Sequence, residues 1–361
     1  MFHPPTPCLV VNAEIVRRNI SSMQAYVNQH GLELRPHTKT HKSIHVGTLQ
    51  REAGAYGLTV AKAGEAAVMA QVTNNVMMAY PPVDLPRCER LAKLACDASL
   101  VVGLDSELAV ERLAKATQSA ESNVDVLVDV DIGYQRTGVQ SDEDAVRLAQ
   151  CVERSKSLQL KGLMLYAGKI TGSAAEQTLQ MQQLNSRLKA LLPKWDAAGL
   201  CREVISSGST PSAKYSHLVP AVTEIRPGTY VYNDMNIVRG GYCEMEDCAA
   251  RIHATVVSAN VKGQVVIDAG SKTLTSDKCG PDPSSGFGHV TEYPAAKIFS
   301  LTEEHGQVDI SKCDRVPELG ERVTIIPNHI CVCVNMQDSF WWCDAEAEPR
   351  QLPVDARGLL I

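Results

Sequence analysis

The chain has 361 residues, of which 44% are hydrophobic and 21% charged, and its formal net charge is −6. That length suits one large barrel plus a smaller unit, and the composition builds a core rather than a disordered chain. An acidic balance without a long basic run argues against nucleic acid and anionic membrane as partners, no apolar stretch has the length of a membrane span, and Met1-Phe2-His3-Pro4-Pro5 lacks the pattern of a signal peptide. The twelve cysteines are scattered and form no CxxC, which fits reduced thiols in a cytoplasmic protein better than a disulfide framework.

Cys8–Val11 reads as an opening strand. From about residue 30 to 235 short apolar runs alternate with amphipathic stretches. The runs are Leu32–Pro36, Gly57–Ala61, Asn75–Ala79, Leu100–Leu104, Val124–Asp131, Leu160–Tyr166, Glu203–Ser207 and Glu224–Val231. Helical patterns lie between them, as at Pro86–Ala98 and Ala174–Ala198. Eight strand–helix alternations predict a (β/α)8 barrel. After about residue 250 helical periodicity fades. Arg251–Asn260, Val265–Asp268, Arg322–Ile326 and Ile330–Val334 read as β segments between Gly, Pro and Asp turns, and Cys8–Val11 pairs into that second, all-β domain. The division expected is a barrel over residues 12–245, with residues 1–11 and 246–361 making the β-rich domain.

In a parallel barrel the chemistry sits at the C-terminal ends of strands. Strand 1 delivers Arg35-Pro36-His37-Thr38-Lys39-Thr40-His41-Lys42. Crowding by other cations lowers a lysine's pKa and makes it a nucleophile, which points to Lys39 as holder of an aldehyde cofactor through a Schiff base. Strand alternation alone does not decide between Lys39 and Lys42. The strand-7 end, Ser207-Gly208-Ser209-Thr210, has small residues that let backbone N–H groups approach an anion, with hydroxyls as further donors. That is a phosphate cup, in the region where barrels favour one. A phosphorylated aldehyde is pyridoxal 5'-phosphate. Arg136 is then a donor to its phenolate oxygen, Tyr166 packs near its ring, and Tyr232 contacts its pyridine nitrogen.

Near the C-terminus the chain reads Pro327-Asn328-His329-Ile330-Cys331-Val332-Cys333. On a strand His329 and Cys331 share a face, as does Cys333. Imidazole and thiolate side by side suit zinc, and two or three protein ligands leave positions open for water or substrate.

Taken in order, several motifs resemble the D-threonine aldolase/eukaryotic-type D-serine dehydratase family of alanine-racemase-like, fold-type III pyridoxal-phosphate enzymes. They are Arg35-Pro36-His37-Thr38-Lys39-Thr40, Asp131-Ile132-Gly133 with Arg136-Thr137-Gly138-Val139, Ser207–Pro211, Arg226-Pro227-Gly228-Thr229-Tyr230, Glu304-His305-Gly306 and Pro327-Asn328-His329-x-Cys331. The resemblance implies a barrel plus a β domain, usually as a homodimer. It makes Lys39 the Schiff-base lysine, places the phosphate at the strand-7 loop, and puts a divalent metal on His329 and Cys331. Cysteine at the second metal position is the pattern of the zinc-dependent dehydratases, where typical D-threonine aldolases carry aspartate. Two departures stand out: Cys333, where relatives often have threonine, and Ala167-Gly168-Lys169, where aldolases often have Gly-His.

The activity this implies is β-elimination from a D-β-hydroxy amino acid such as D-serine or D-threo-3-hydroxyaspartate, giving a 2-oxo acid and ammonia. Lys39 removes the α-proton and zinc activates the β-oxygen. The competing readings are an aldolase releasing glycine and an aldehyde, a racemase, which would need a second base and no metal, and a non-catalytic pyridoxal-phosphate-binding protein.

Overall fold

A computed structural model of the chain describes residues 3–361. Two units emerge from it. One comprises Ser21–Lys39, Ile44–Gly228 and Leu359–Ile361, the other Met1–Ile20, Thr40–Ser43 and Thr229–Gly358. Along the chain, β1 (Cys8–Asn12) and α1 (Ala13–His30) come first. Then follow β2 (Glu33–Leu34), α2 (Ile44–Glu52), β3 (Leu58–Val60), α3 (Ala63–Met69), β4 (Asn75–Met78), α4 (Leu85–Leu94), β5 (Ser99–Leu104), α5 (Glu107–Ser119), β6 (Val124–Val130), α6 (Asp142–Glu153), β7 (Leu158–Leu165), α7 (Ala174–Ala197), β8 (Val204–Ser207) and β9 (Glu224–Ile225).

The strands β2 to β9 form one parallel sheet in the order β2-β9-β8-β7-β6-β5-β4-β3. A parallel bridge between His37 and Thr59, with the Thr59 N–H donating to Pro36 O at 2.8 Å, joins the two ends. The alternation of runs therefore closes into the expected (β/α)8 barrel. The strands are apolar on successive residues because both faces are covered, one by helices and one by the barrel interior. Met77, Val101, Leu127 and Met164 fill that interior. A Cβ at residue 103 would stand 2.4 Å from Cε of Met164, so glycine there is what admits the methionine. The helices start where their caps predict. Asp84 accepts from the Arg87 N–H at the head of α4, Ser141 caps α6, and Ser173 with Glu176 forms a capping box on α7.

The eighth run is shorter than its sequence suggests. β9 stops at Ile225, Pro227 has no N–H to continue a ladder, and Thr229–Val231 winds into a 3-10 turn.

The second unit adds α8 (Met235–Arg239), β10 (Ala250–Ser258), β11 (Gln264–Ile267), α9 (Ser271–Leu274), β12 (His289–Val290), β13 (Lys297–Leu301), β14 (Gly306–Asp309), β15 (Arg322–Ile326), α10 (Ile330–Asn335), β16 (Ser339–Cys343) and β17 (Arg350–Pro353). Its mixed sheet runs β13-β14-β11-β10-β1-β16-β17, with β15 on β10 and β12 on β15. The opening strand pairs antiparallel with β10 and parallel with β16, so the chain's first strand completes the C-terminal sheet.

One expectation fails here. Residues 330–334 are not a strand but the start of α10. After Pro327 the chain stays extended through His329 (φ −136°), and the Ile330 N–H then finds the buried carboxylate of Asp234 at 3.1 Å. A carboxylate supplied from another segment caps the orphan donor and lets a helix begin where the apolar run suggested a strand.

Candidate active site

Lys39 lies in the 3-10 turn Thr38–Thr40 that follows β2, in the barrel unit, and is half-buried. Among the described residues its ammonium has neither an ion pair nor a hydrogen bond. Lys42 differs: it is buried in the other unit, and its ammonium donates to Ala356 O at 3.4 Å. The two lysines that strand alternation left undecided thus have distinct surroundings, and the amine without a partner is that of Lys39.

At the end of β8 the backbone passes through Gly208 at φ +94°, a conformation costly for any residue with a Cβ. Its N–H has no protein partner among the described residues, which fits an anion at this loop. Ser207 is buried. Ser209 is held in place: its N–H donates to Ser212 Oγ at 3.0 Å, and its hydroxyl donates to Ala167 O at 3.3 Å. Thr210 follows directly and leads into the turn Ala213–Leu218.

Beyond β6, Asp131 accepts from the N–H groups of Gly133, Tyr134 and Gln135 at 2.8–3.0 Å. Burial disfavours its charge, but the bonds from Gln135, Gln140, Gly133 and Tyr134 outweigh it and hold the carboxyl below the usual range. The loop so tied presents Arg136, whose guanidinium lies 4.3 Å from the Tyr166 ring centroid and 5.0 Å from that of Tyr134. Tyr134 and Tyr166 meet edge to face at 4.8 Å. Both rings border a cavity of about 480 Å³ that Lys169 and Arg187 also line. Arg136 and Tyr166, assigned separately from the sequence, are thus neighbours.

Beneath these loops the barrel holds a buried polar chain. Arg35 Nε donates to Glu224 Oε2 at 2.9 Å, and Ser206 Oγ donates to Glu224 Oε1 at 2.5 Å. Arg226 reaches Ser206 Oγ with one nitrogen and Leu165 O with the other, the latter at 2.8 Å. Burial pulls Arg226 down from its usual pKa, against the pull of Glu224 and Asp129. Burial likewise pushes Asp129 up to about 6. The strand-end reading gave Glu224 and Asp129 no role. Their charge on otherwise apolar barrel strands was the available signal.

In the second unit the Cys331 thiol donates to Thr40 Oγ1 at 3.3 Å and stands 3.9 Å from Thr229 Oγ1. Thr40 is the residue peptide-bonded to Lys39. His329 Nδ1 is 3.4 Å from Asp277 Oδ2. The Cys331 sulfur chiefly, helped by Asp234 and Asp277, pushes the imidazole up to about 9 despite its burial. Burial raises Asp234 to about 6, opposed by His329 and by the Ile330, Ile237 and Asn236 N–H groups. Cys333 does not join this cluster. On a helix residues two apart diverge, and its fully buried thiol donates to Leu274 O at 3.5 Å. Among the described residues no three His, Cys, Asp or Glu side chains converge as a complete metal site. Imidazole plus thiol is nonetheless a donor set that suits zinc, with remaining positions left to water or substrate. Asp277 had no signal in the sequence, since nothing near it in the chain announces a metal or a histidine.

Tyr232 is wholly buried, its ring edge-on to His41 at 6.4 Å. Among the described residues its hydroxyl has no hydrogen-bond partner, and burial alone raises its pKa far above the usual tyrosine value. A buried phenol of this kind is an open donor.

Residues 11–236 match the family described as alanine racemase, N-terminal domain, and residues 249–342 match the putative serine dehydratase domain. A D-threo-3-hydroxyaspartate dehydratase of Delftia sp. (strain HT23) is 32% identical over 351 residues, covering 90% of either chain. A D-threonine aldolase of Arthrobacter sp is 28% identical over 348 residues, covering 93% of this chain and 88% of that protein. Among solved structures, a D-threonine aldolase from Filomicrobium marinum superposes with a TM-score of 0.91 at 28% identity, over 99% of this chain and 97% of that one.

Proposed function

Because the chain belongs to the family of pyridoxal-phosphate-dependent lyases that joins an alanine-racemase-type domain to a serine dehydratase domain, we propose that it is a zinc-dependent dehydratase of a D-β-hydroxy amino acid, releasing a 2-oxo acid and ammonia. D-serine and D-threo-3-hydroxyaspartate are the candidate substrates.

The residues fit the cofactor. Among the described residues, Lys39 brings an amine without a partner, Gly208 an open N–H at a loop only glycine enters without strain, and Tyr232 a buried hydroxyl in need of an acceptor. When bound, pyridoxal phosphate acidifies the hydrogen on the amino acid's α-carbon, and zinc makes its β-hydroxyl a better leaving group. Lys39 is the base that takes the α-proton. Ser207, Gly208, Ser209 and Thr210 hold the phosphate. Arg136, braced against Tyr166, donates to the phenolate oxygen, and Tyr232 is the donor assigned to the pyridine nitrogen. His329 and Cys331 hold the metal.

The observation that carries the dehydratase reading is the thiol–imidazole pair, since a sulfur ligand favours zinc over the hard ions that carboxylates take. Similarity to D-threonine aldolases keeps a second reading, metal-assisted cleavage to glycine and an aldehyde. Incubating the purified protein with D-serine, D-threonine and D-threo-3-hydroxyaspartate, with and without a chelator, distinguishes the two. The proposal expects 2-oxo acid, lost on chelation. Glycine with acetaldehyde from D-threonine, and no 2-oxo acid from any substrate, would sink it. A cytoplasmic homodimer is the state in which we expect the enzyme to work. Among the described residues no helix is long and apolar enough to cross a membrane.

A further inference from the structure

Asp277 stands beside His329 and has no part in the chemistry assigned above. We propose that Asp277 is a positioning residue for the metal centre: its carboxylate accepts from Nδ1–H of His329, fixes the tautomer of the ring and leaves Nε2 to the metal. The inference rests on the reading of His329 and Cys331 as the metal's ligands.

A neutral imidazole carries one proton, so the nitrogen that donates it leaves the other as the lone pair a metal needs. Asp277 Oδ2 lies 3.4 Å from Nδ1, and both side chains are half-exposed. The carboxylate therefore has room for the small rotation that closes this separation to a charge-assisted hydrogen bond of about 2.8 Å. Among the described residues no three His, Cys, Asp or Glu side chains converge as a metal site, so Asp277 serves the ring rather than the ion. A carboxylate partner of this kind orients a metal-binding histidine and raises its basicity.

An exposed acid–histidine contact carries little weight by itself. What sets this one apart is the scaffold that holds both backbones. Asn328, just before His329, is buried, and its amide donates to Asp277 O at 3.0 Å and to Gly286 O at 2.8 Å. The neighbour of the histidine thus grips the backbone of the residue whose carboxylate faces the ring. Just after His329, the Ile330 N–H is held by Asp234 Oδ2 at 3.1 Å. The Met235 N–H donates to Pro327 O at 3.0 Å and the Asn236 N–H to Asn328 O at 3.2 Å, which pins the approach to the histidine. On the side of the acid, Thr275 is buried at φ +65°, a conformation unfavourable for a β-branched residue, and its hydroxyl accepts from the Asp277 N–H at 3.1 Å. Strain of that kind persists only where the surroundings over-determine it. With both backbones fixed, rotation of the two side chains is the freedom that remains.

The test strips the holoenzyme of metal with a chelator and titrates it with cobalt(II), reading thiolate-to-cobalt charge-transfer absorbance. The part of the signal missing from Cys331→Ala belongs to this site. Asp277→Ala should bind cobalt about 10–100-fold more weakly than the wild type. Its far-UV circular dichroism and its absorbance of bound pyridoxal phosphate should not change, since a half-exposed side chain can be truncated without opening a cavity. Asp277→Asn, whose amide oxygen can still accept from Nδ1–H, should bind more tightly than Asp277→Ala. Wild-type affinity in Asp277→Ala overturns the inference. So does an Asp277→Asn protein as weak as Asp277→Ala, the result expected of a carboxylate ligand. A wild type without the cobalt signal, or with one that survives in Cys331→Ala, overturns the metal reading and this inference with it.

Discussion

Glu224→Gln tests the polar chain inside the barrel. The side chain is 3% exposed and compensates Arg35, also 3% exposed, while its other oxygen takes the Ser206 hydroxyl that Arg226 in turn contacts. Glutamine preserves volume and can accept one of these bonds but removes the charge. Two buried guanidiniums are then left with Asp129 nearby, a carboxyl that burial holds at about 6. Removing one partner of a buried pair costs about 3–5 kcal/mol, because the remaining charge stays in a poor solvent. Against a total stability on the order of 5–15 kcal/mol, that is a large fraction. Urea unfolding followed by far-UV circular dichroism and by the fluorescence of the tryptophans, among them the buried Trp195, measures it. Glu33→Gln is the control: Glu33 lies opposite Glu224 in the β2–β9 register but is exposed, and its loss should stay within about 0.5 kcal/mol. A Glu224→Gln protein that loses less than about 1 kcal/mol would refute the view that this chain is a compensated buried charge system.

Lys39→Ala should abolish both the absorbance of bound pyridoxal phosphate and turnover, whereas Lys42→Ala should keep the absorbance and lose about 1 kcal/mol with its bond to Ala356 O; an absorbance spectrum and a melt separate the two. Asp129 is protonated more readily in the folded chain (about 6) than at its ordinary value of 3.8, so the native state binds more protons between those values and stability falls as pH rises through that window, by on the order of 3 kcal/mol. Denaturant midpoints from pH 4 to 7 should show this slope in the wild type and lose it in Asp129→Asn. Gly208→Ala puts a Cβ at φ +94° and 3.2 Å from Ile225 Cβ; it should cost about 1–2 kcal/mol and weaken cofactor affinity, read by titration of the apoprotein.

The barrel was legible because its strands are buried on both faces and its helices on one, which writes apolar runs and amphipathic stretches into the chain at regular intervals. The glycine at the β8 turn and the lysine after β2 could be read for the same local reason: turn geometry and reactive groups at strand ends leave a mark within a few residues. Local pattern had no access to partners supplied from far along the chain. It took residues 330–334 for a strand because the carboxylate that caps α10 lies 96 positions away at Asp234, and the helix then turned Cys333 from Cys331's companion into a core thiol. It could not choose between Lys39 and Lys42, because the difference is the carbonyl of Ala356, more than 300 positions on. Sequence alone determined which residue types could do the chemistry and roughly where each strand would deliver them. Tertiary structure decided which of those groups are spent on one another and which remain open, since hydrogen-bond partnership and burial belong to neighbours in space.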